Sequence, residues 1–229
     1  MLEIGGFTPL TTIDFPGRLA AVVFCQGCPW RCRYCQNTHL IPPSATEPVP
    51  WEDVIRFLER RQGLLDGVVF SGGEPTLQVG LADALLQVRA LGLATGLHTA
   101  GPYPDRLAAV LPLLDWIGID IKATASGYAA LTGGGEVSGA RAWESLRRVV
   151  ASGVAFEVRT TVHPELLAAD DLLSLSHELA AAGVADYVLQ ECVDGRCLDP
   201  TLSRPSRIPE AVSEALSRLF PRFSVRRSG

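Results

Sequence analysis

The chain has 229 residues, 47% hydrophobic and 20% charged, with a formal net charge of −5, the composition of a folded globular chain long enough for a real core. That charge excludes a broad nucleic-acid footprint, although Arg226 and Arg227 make the C-terminus locally basic, and no apolar run reaches the ~18 residues of a transmembrane helix. The start, Met1 to Gly6, lacks the basic n-region and apolar core of a signal peptide, so a cytoplasmic protein with neither nucleic-acid nor membrane partners is expected.

After Arg18, apolar β-prone runs alternate with amphipathic stretches. A strand is predicted over 19–24, then a helix over 51–61 with Val54, Ile55 and Leu58 on one face. Next come a strand over 68–70, a helix over 79–91, a short strand over 94–97 and a helix over 104–111. A strand over 116–121 precedes a helix over 140–151 that Gly153 ends, and a strand over 155–162 precedes a helix over 170–182 that Gly183 ends. The sixth strand covers 187–189, and a last helix covers 209–219. Short apolar strands with helices between them are the mark of a buried parallel sheet. Six such steps argue for an α/β fold, closed either as an open doubly wound sheet or as a partial barrel. The absence of Gly-x-Gly-x-x-Gly after the first strand weakens the dinucleotide-binding version of the open sheet. Residues 1–197 read as a core with an N-terminal extension, and 198–229 as a C-terminal loop and helix packed on the same domain.

The unusual residues share one address. Cys25 ends the first predicted strand, Ser71 to Pro75 follow the second, and His98 to Gly101 follow the third. Asp120 and Lys122 close the fourth, Arg159 lies late in the fifth with His163 after it, and Gln190 to Cys192 follow the sixth. In barrel-like α/β folds, chemistry collects at these C-terminal strand ends. Lys122 is the only lysine, every other long cationic side chain being arginine. Two residues apart on a strand, Asp120 and Lys122 should face the same way, and such a pair is costly to bury unless paired or bound to a ligand.

Cys25, Cys28, Cys32 and Cys35 fall within eleven residues. In an unexported chain such a cluster reads as metal-binding or redox-active, and thiolates suit zinc or iron–sulfur centres. Three ligands on a [4Fe-4S] cluster leave one iron open, whereas four close the site into a structural centre or electron carrier. The order C-x2-C-x3-C-x2-C differs from the bacterial ferredoxin run C-x2-C-x2-C-x3-C-P.

Cys28-x3-Cys32-x2-Cys35, with the aromatic Tyr34 before the last cysteine, resembles the radical S-adenosylmethionine (SAM) enzymes. The resemblance implies a partial (β/α)6 TIM-like barrel, with a [4Fe-4S] cluster on Cys28, Cys32 and Cys35. SAM would chelate the fourth iron and be cleaved by one electron to a 5′-deoxyadenosyl radical. Gly72, Gly73 and Glu74 look like the family's glycine-rich motif, where a backbone without side chains can approach a ligand closely; contact with the SAM amino group is implied. Ile13 to Arg18, Gln26-Gly27-Cys28, Cys35-Gln36-Asn37 and Asp120-Ile121-Lys122 narrow the likeness to the glycyl-radical-enzyme activases. The closest pattern is that of the activators of anaerobic ribonucleoside-triphosphate reductase, whose flavodoxin or ferredoxin electron donor is implied as well. The implied cofactor-binding residues are Tyr34, Gly72, Gly73, Glu74, Thr99, Asp120, Lys122, Arg159 and Val162, with Lys122 also counted beside the three cysteines in catalysis. Asp120 is expected to meet Lys122, a bound cation or the amino-acid part of SAM. Arg159 is suited to hold a carboxylate bidentately, and Asp14 with the Pro16-Gly17 turn is a candidate contact for the partner's loop.

Some residues depart from the pattern. Cys25 stands where related activases commonly carry another residue, and reads as a spectator thiol. Cys192 and Cys197 read as free or redox-active thiols rather than a second metal site, since even with Cys25 they lack a fourth ligand without Asp194 or a histidine. His98 and His163 read as satisfied loop histidines. Two rival readings stand beside the activase: a radical SAM enzyme on a small substrate, of the 7-carboxy-7-deazaguanine synthase kind, and a non-catalytic zinc or iron–sulfur electron-transfer module. Enzymes of the first kind often carry Cys-Asp where this chain has Cys35-Gln36.

Overall fold

The computed structural model describes residues 2–193 and 195–227; Asp194, weighed above as a metal ligand, lies outside them. The elements run β1 (Ile4–Thr11), β2 (Ala20–Cys25), α1 (Trp51–Glu59), β3 (Gly67–Gly72), α2 (Leu81–Ala90), β4 (Ala94–Thr99), α3 (Pro104–Val110) and β5 (Trp116–Asp120). They continue α4 (Tyr128–Thr132), α5 (Val137–Ser152), β6 (Ala155–Val162), α6 (Ala169–Ala181), β7 (Asp186–Glu191), α7 (Glu210–Leu219) and β8 (Arg222–Arg226). The sheet order is β1-β2-β3-β4-β5-β6-β7-β8, and β2 to β7 carry the six expected strand–helix steps. Among the described residues no helix is long and apolar enough to cross a membrane.

The chain divides into two compact units. The first comprises residues 1–29, 37–99 and 103–118, and the second comprises 30–36, 100–102 and 119–229. In the first unit, β2 and β3 pair in parallel from Ala20↔Gly67 to Cys25↔Gly72. Both are buried along most of their length, as strands covered on two faces must be. Phe15, Ala20, Val69 and Trp116 form a core cluster, with the Phe15 and Trp116 rings stacked at 5.7 Å. α1 places Val54 and Leu58 inward, and Glu52 and Asp53 in its first turn complement the positive end of the helix dipole.

β1, absent from the sequence reading, pairs antiparallel with β2. Gly5, Gly6 and Pro9 depress its intrinsic strand signal, so pairing, not propensity, makes it a strand.

In the second unit, β6, β7 and β8 pair in parallel. Tyr187 of β7 is fully buried against Phe220, 4.7 Å away between ring centroids. β8, also unforeseen, is flanked by arginines that hid its alternation. Arg222 donates to Asp186 at 2.9 Å and Arg226 to buried Glu157 at 3.0 Å. α5 starts three residues earlier than expected because Gly139 lets it lie against Ala125: a Cβ there would sit 2.1 Å from the Ala125 carbonyl.

Candidate active site

The first unit builds its part of the site from the ends of β2, β3 and β4. Beyond Cys25, the Gly27 N–H donates to the Leu40 carbonyl at 2.9 Å and the Cys28 N–H to Ile41 at 3.2 Å, while the Gln26 amide donates to the carbonyls of His39 and Pro42. Cys28 is thereby held on the 39–42 segment and remains partly exposed.

Gly72 has φ +118°, and a Cβ there would lie 2.4 Å from the Cys25 backbone; at Gly73 it would lie 2.3 Å from the Gly27 carbonyl. What these glycines approach within the unit is its own chain, an explanation that the motif reading had not supplied. Their neighbours close the same turn: Gly73 N donates to the Cys25 carbonyl and Glu74 N to Gly27, both at 2.9 Å.

Glu74 is 1% exposed. Its Oε1 accepts from Thr76 N at 3.0 Å, Thr76 Oγ1 at 2.6 Å and Thr99 Oγ1 at 2.6 Å. The carboxylate thus ties the end of β3 to the end of β4, and Thr99 is committed to it. Burial, followed by the Glu74 charge, pushes the Cys25 thiol far above the usual range, which favours its protonated form. His98 Nε2 bonds the Asp14 carbonyl at 2.9 Å, and Asp14 Oδ2 accepts from Thr11 at 2.5 Å. The Asp14 turn is fixed in place by these bonds and by buried Phe15.

The second unit holds Cys32 and Cys35 in a turn closed by Cys35 N donating to the Cys32 carbonyl at 2.9 Å. Arg31 N and Arg33 N donate to the carbonyls of Thr132 and Leu131, and Trp30 packs edge-on against Tyr128 at 5.7 Å. α4, too short to read from periodicity, is therefore the cradle of the cysteine loop. Arg33 adds an ion pair to Asp199 at 2.7 Å. Hydrogen bonds from the Thr201 hydroxyl and backbone, then from Arg33, lower the Asp199 carboxyl to about 2.

Asp120, Lys122, Arg159 and Tyr34 come together in this unit. Arg159 Nε donates to Asp120 Oδ1 at 2.8 Å and Lys122 Nζ to Oδ2 at 3.4 Å. The cationic side chains are each 9% exposed and the carboxylate 28%. Lys122 lies beyond the last residue of β5, so strand alternation is not what brings it to Asp120. Instead Tyr128 turns the chain: its hydroxyl accepts from Lys122 N at 2.9 Å and sits 3.5 Å from the Asp120 carbonyl. Arg159 is the fifth of the eight residues of β6. Burial opposes the Lys122 ammonium, but its surroundings, Tyr34 first and then Asp120 and Cys32, keep its pKa well above the usual lysine range. Burial likewise pushes up Cys32, with Lys122 pulling back.

Val162 is buried at the end of β6, its carbonyl accepting from Ser206 Oγ at 2.5 Å and Cys192 N at 3.2 Å. His163 is buried, and its Nδ1 accepts from Glu165 N at 3.3 Å, as a satisfied histidine does. Tyr128, Thr76 and Ser206 were not singled out in the sequence; nothing in their spacing marks them.

Two observations fit a polar ligand here. The Tyr34 hydroxyl is buried with no hydrogen-bond partner among the described residues, an expensive state. The Lys122 ammonium, with three donors, lies 5.5 Å from the centroid of the Tyr34 ring and makes a long bond to Asp120 at 3.4 Å. A molecule rich in carboxylate and hydroxyl acceptors suits both. Among the described residues no three Cys, His, Asp or Glu side chains close on a single metal ion. Three thiols remain the right donor chemistry for an iron–sulfur cluster, which takes one thiolate per iron.

Comparison with known proteins gives the context. The Radical SAM superfamily model matches residues 22–173. A protein of Methanocaldococcus jannaschii named as a glycyl-radical enzyme activating enzyme is 26% identical over 179 residues, 74% of this chain and 72% of that one. The pyruvate formate-lyase-activating enzyme of Clostridium pasteurianum is 32% identical over 173 residues, 72% and 71% of the two chains. The crystal structure of QueE from Escherichia coli shares the fold with a TM-score of 0.62 at 19% identity, covering 98% of this chain and 93% of that one. The α/β fold is thus the partial barrel expected. The chain belongs to the radical SAM superfamily, an enzyme family that uses a [4Fe-4S] cluster and SAM, and its relatives there include glycyl-radical enzyme activases.

Proposed function

We propose that this chain installs a glycyl radical on a partner enzyme of the anaerobic ribonucleoside-triphosphate reductase type. The observation that carries the reading is the likeness to activases along most of both chains. The segment Thr11 to Gly17, together with Val69 to Gln78, directs it toward the reductase.

In this reading Cys28, Cys32 and Cys35 hold the cluster through three irons. Tyr34, Gly72, Gly73, Glu74, Thr99, Asp120, Lys122, Arg159 and Val162 surround SAM. When bound, these groups supply an electron and an adenosyl radical source; the chain supplies position and charge. Lys122 offers a buried ammonium to an acceptor, and the Tyr34 hydroxyl gains the partner it lacks among the described residues. Asp120 holds Lys122 and Arg159 in place and keeps both cations compensated. Gly72 and Gly73 let the β3 turn close tightly on the end of β2, which fixes where the Glu74 backbone can meet a ligand. The exposed Pro16-Gly17 turn, anchored through Phe15, receives the partner's glycine loop. A flavodoxin or ferredoxin supplies the electron.

The test is anaerobic incubation of the reduced holoprotein with SAM and a candidate reductase, followed by electron paramagnetic resonance (EPR). A glycyl doublet on the reductase is expected. SAM turnover without a doublet on this partner, alongside a doublet on another glycyl-radical enzyme, would overturn the partner assignment.

A further inference from the structure

Cys192 and Cys197 are left unused by the chemistry above, yet their sulfurs lie only 3.4 Å apart. Gly195, at φ +73°, supplies the left-handed turn between them that a residue with a Cβ adopts only under strain. Cys192 is completely buried and Cys197 partly exposed. The Cys192 backbone is pinned by its N–H to Ser206 Oγ at 3.0 Å and to the Val162 carbonyl at 3.2 Å. Its thiol is also engaged. The Gln36 side-chain amide donates to Cys192 Sγ at 3.2 Å, and that sulfur lies 3.9 Å from the carbonyl oxygens of both Tyr34 and Val193. Tyr34 and Gln36 are the residues on either side of Cys35.

We propose that Cys192 and Cys197 form a reversible disulfide, and that its state is transmitted through Gln36 and Tyr34 to the loop carrying Cys35. The oxidant is a small-molecule disulfide. The Cys197 thiolate, the accessible one, attacks one sulfur of the oxidant and expels its other half as a thiolate. The Cys192 thiol then gives up its proton and attacks the Cys197 sulfur of the mixed disulfide, releasing the second half. The pair loses two electrons and two protons, and the oxidant becomes two small thiols. Bonding draws the sulfurs to about 2.05 Å. That movement takes Cys192 Sγ away from Gln36 and removes the S–H within reach of the Tyr34 carbonyl. Both flanks of Cys35 then lose a contact at once. Groups that orient a metal ligand matter nearly as much as the ligand itself, so the oxidised pair loosens the grip of Cys35 on its iron. Because one sulfur is accessible, the bond belongs to the labile class rather than the structural one.

The experiment uses the reconstituted holoprotein, equilibrated anaerobically across ratios of reduced to oxidised glutathione. Samples are acid-quenched, alkylated and analysed by mass spectrometry. A peptide pair joined through Cys192 and Cys197, reversed by dithiothreitol, is expected while the cluster absorbance persists. In parallel, iron release to a chelator is followed. Oxidation of the pair should speed it on the order of tenfold, and Cys197→Ser, at a partly exposed position, should abolish that acceleration. Gln36→Ala should raise the basal release rate in the reduced protein. Full alkylation of both thiols at every ratio that leaves the cluster intact would overturn the disulfide. A disulfide that forms without changing iron release would overturn the transmission to Cys35.

Discussion

Asp120 compensates two cations that have little access to water, so removing its charge should be among the most damaging conservative changes in the chain. Asp120→Asn keeps the shape of the side chain and leaves Arg159 and Lys122, each 9% exposed, facing a neutral amide at 2.8 and 3.4 Å. At an effective dielectric constant of 20, each attraction lost is about 5–6 kcal/mol before solvent rearranges. Measured losses on breaking such buried pairs are about 3–5 kcal/mol. For a chain of this size that corresponds to a fall in Tm of roughly 10 °C. Adding Lys122→Met removes one stranded cation, so the double variant should be less destabilised than the two single changes summed, with a coupling of about 1–3 kcal/mol. Thermal denaturation of the anaerobic apoprotein, followed by circular dichroism, measures all three. The Lys122 contribution has a defined pH window. Its folded pKa is raised, so the stabilisation is complete below the unfolded lysine value of about 10.4 and fades as pH rises through the folded one; it should be flat across neutral pH. A loss below about 1 kcal/mol for Asp120→Asn, or strict additivity with Lys122→Met, would refute the picture of one carboxylate shared by two cations.

Three further outcomes follow from the site. Gly72→Ala forces a Cβ to within 2.4 Å of the Cys25 backbone at φ +118°; it should destabilise the protein by at least about 1–3 kcal/mol and reduce cluster content, and wild-type stability in urea would contradict this. Anaerobic reconstitution should give about four irons per chain; Cys28→Ala, Cys32→Ala or Cys35→Ala should each abolish the intact cluster, whereas Cys25→Ala should retain it, and loss of iron in Cys25→Ala would contradict the assignment of a buried protonated thiol. Asp199, lowered to about 2 in the fold against about 3.9 unfolded, adds stability that is present above pH 4 and lost as pH falls through 2. The gap in urea stability between wild type and Asp199→Asn should therefore be open at pH 7 and narrow below pH 4, and a gap that does not narrow would contradict the bonds that Thr201 and Arg33 make to Asp199.

Much of this was legible in the sequence because buried parallel strands and amphipathic helices write themselves as runs of apolar residues. β6 spans residues 155–162 as expected, and α1 starts at Trp51 as expected. The strand-end placement of Cys25, Gly72, Thr99 and Asp120 follows from the same pattern. What escaped was structure made by partners rather than by propensity. β1 contains two glycines and a proline, and exists because β2 offers an edge. β8 carries arginines whose charges are answered by Asp186 and Glu157. α4 spans five residues, too few to show a period, yet it supports Trp30 to Arg33. The pairing of Asp120 with Lys122 was foreseen, though by alternation rather than by the Tyr128 turn that achieves it. The 3.4 Å approach of Cys192 to Cys197 depends on a Gly195 conformation that spacing alone does not encode.

The central claim is hydrogen abstraction from a glycine of a protein partner, and isotope transfer tests it most directly. A reductase labelled with deuterium at its glycine α-carbons is incubated anaerobically with the reduced holoprotein and SAM, and the 5′-deoxyadenosine released is analysed by mass spectrometry. The account predicts one deuterium in that product, dependent on the partner and matched by its glycyl radical. Unlabelled 5′-deoxyadenosine formed at the same rate with or without the partner would contradict it.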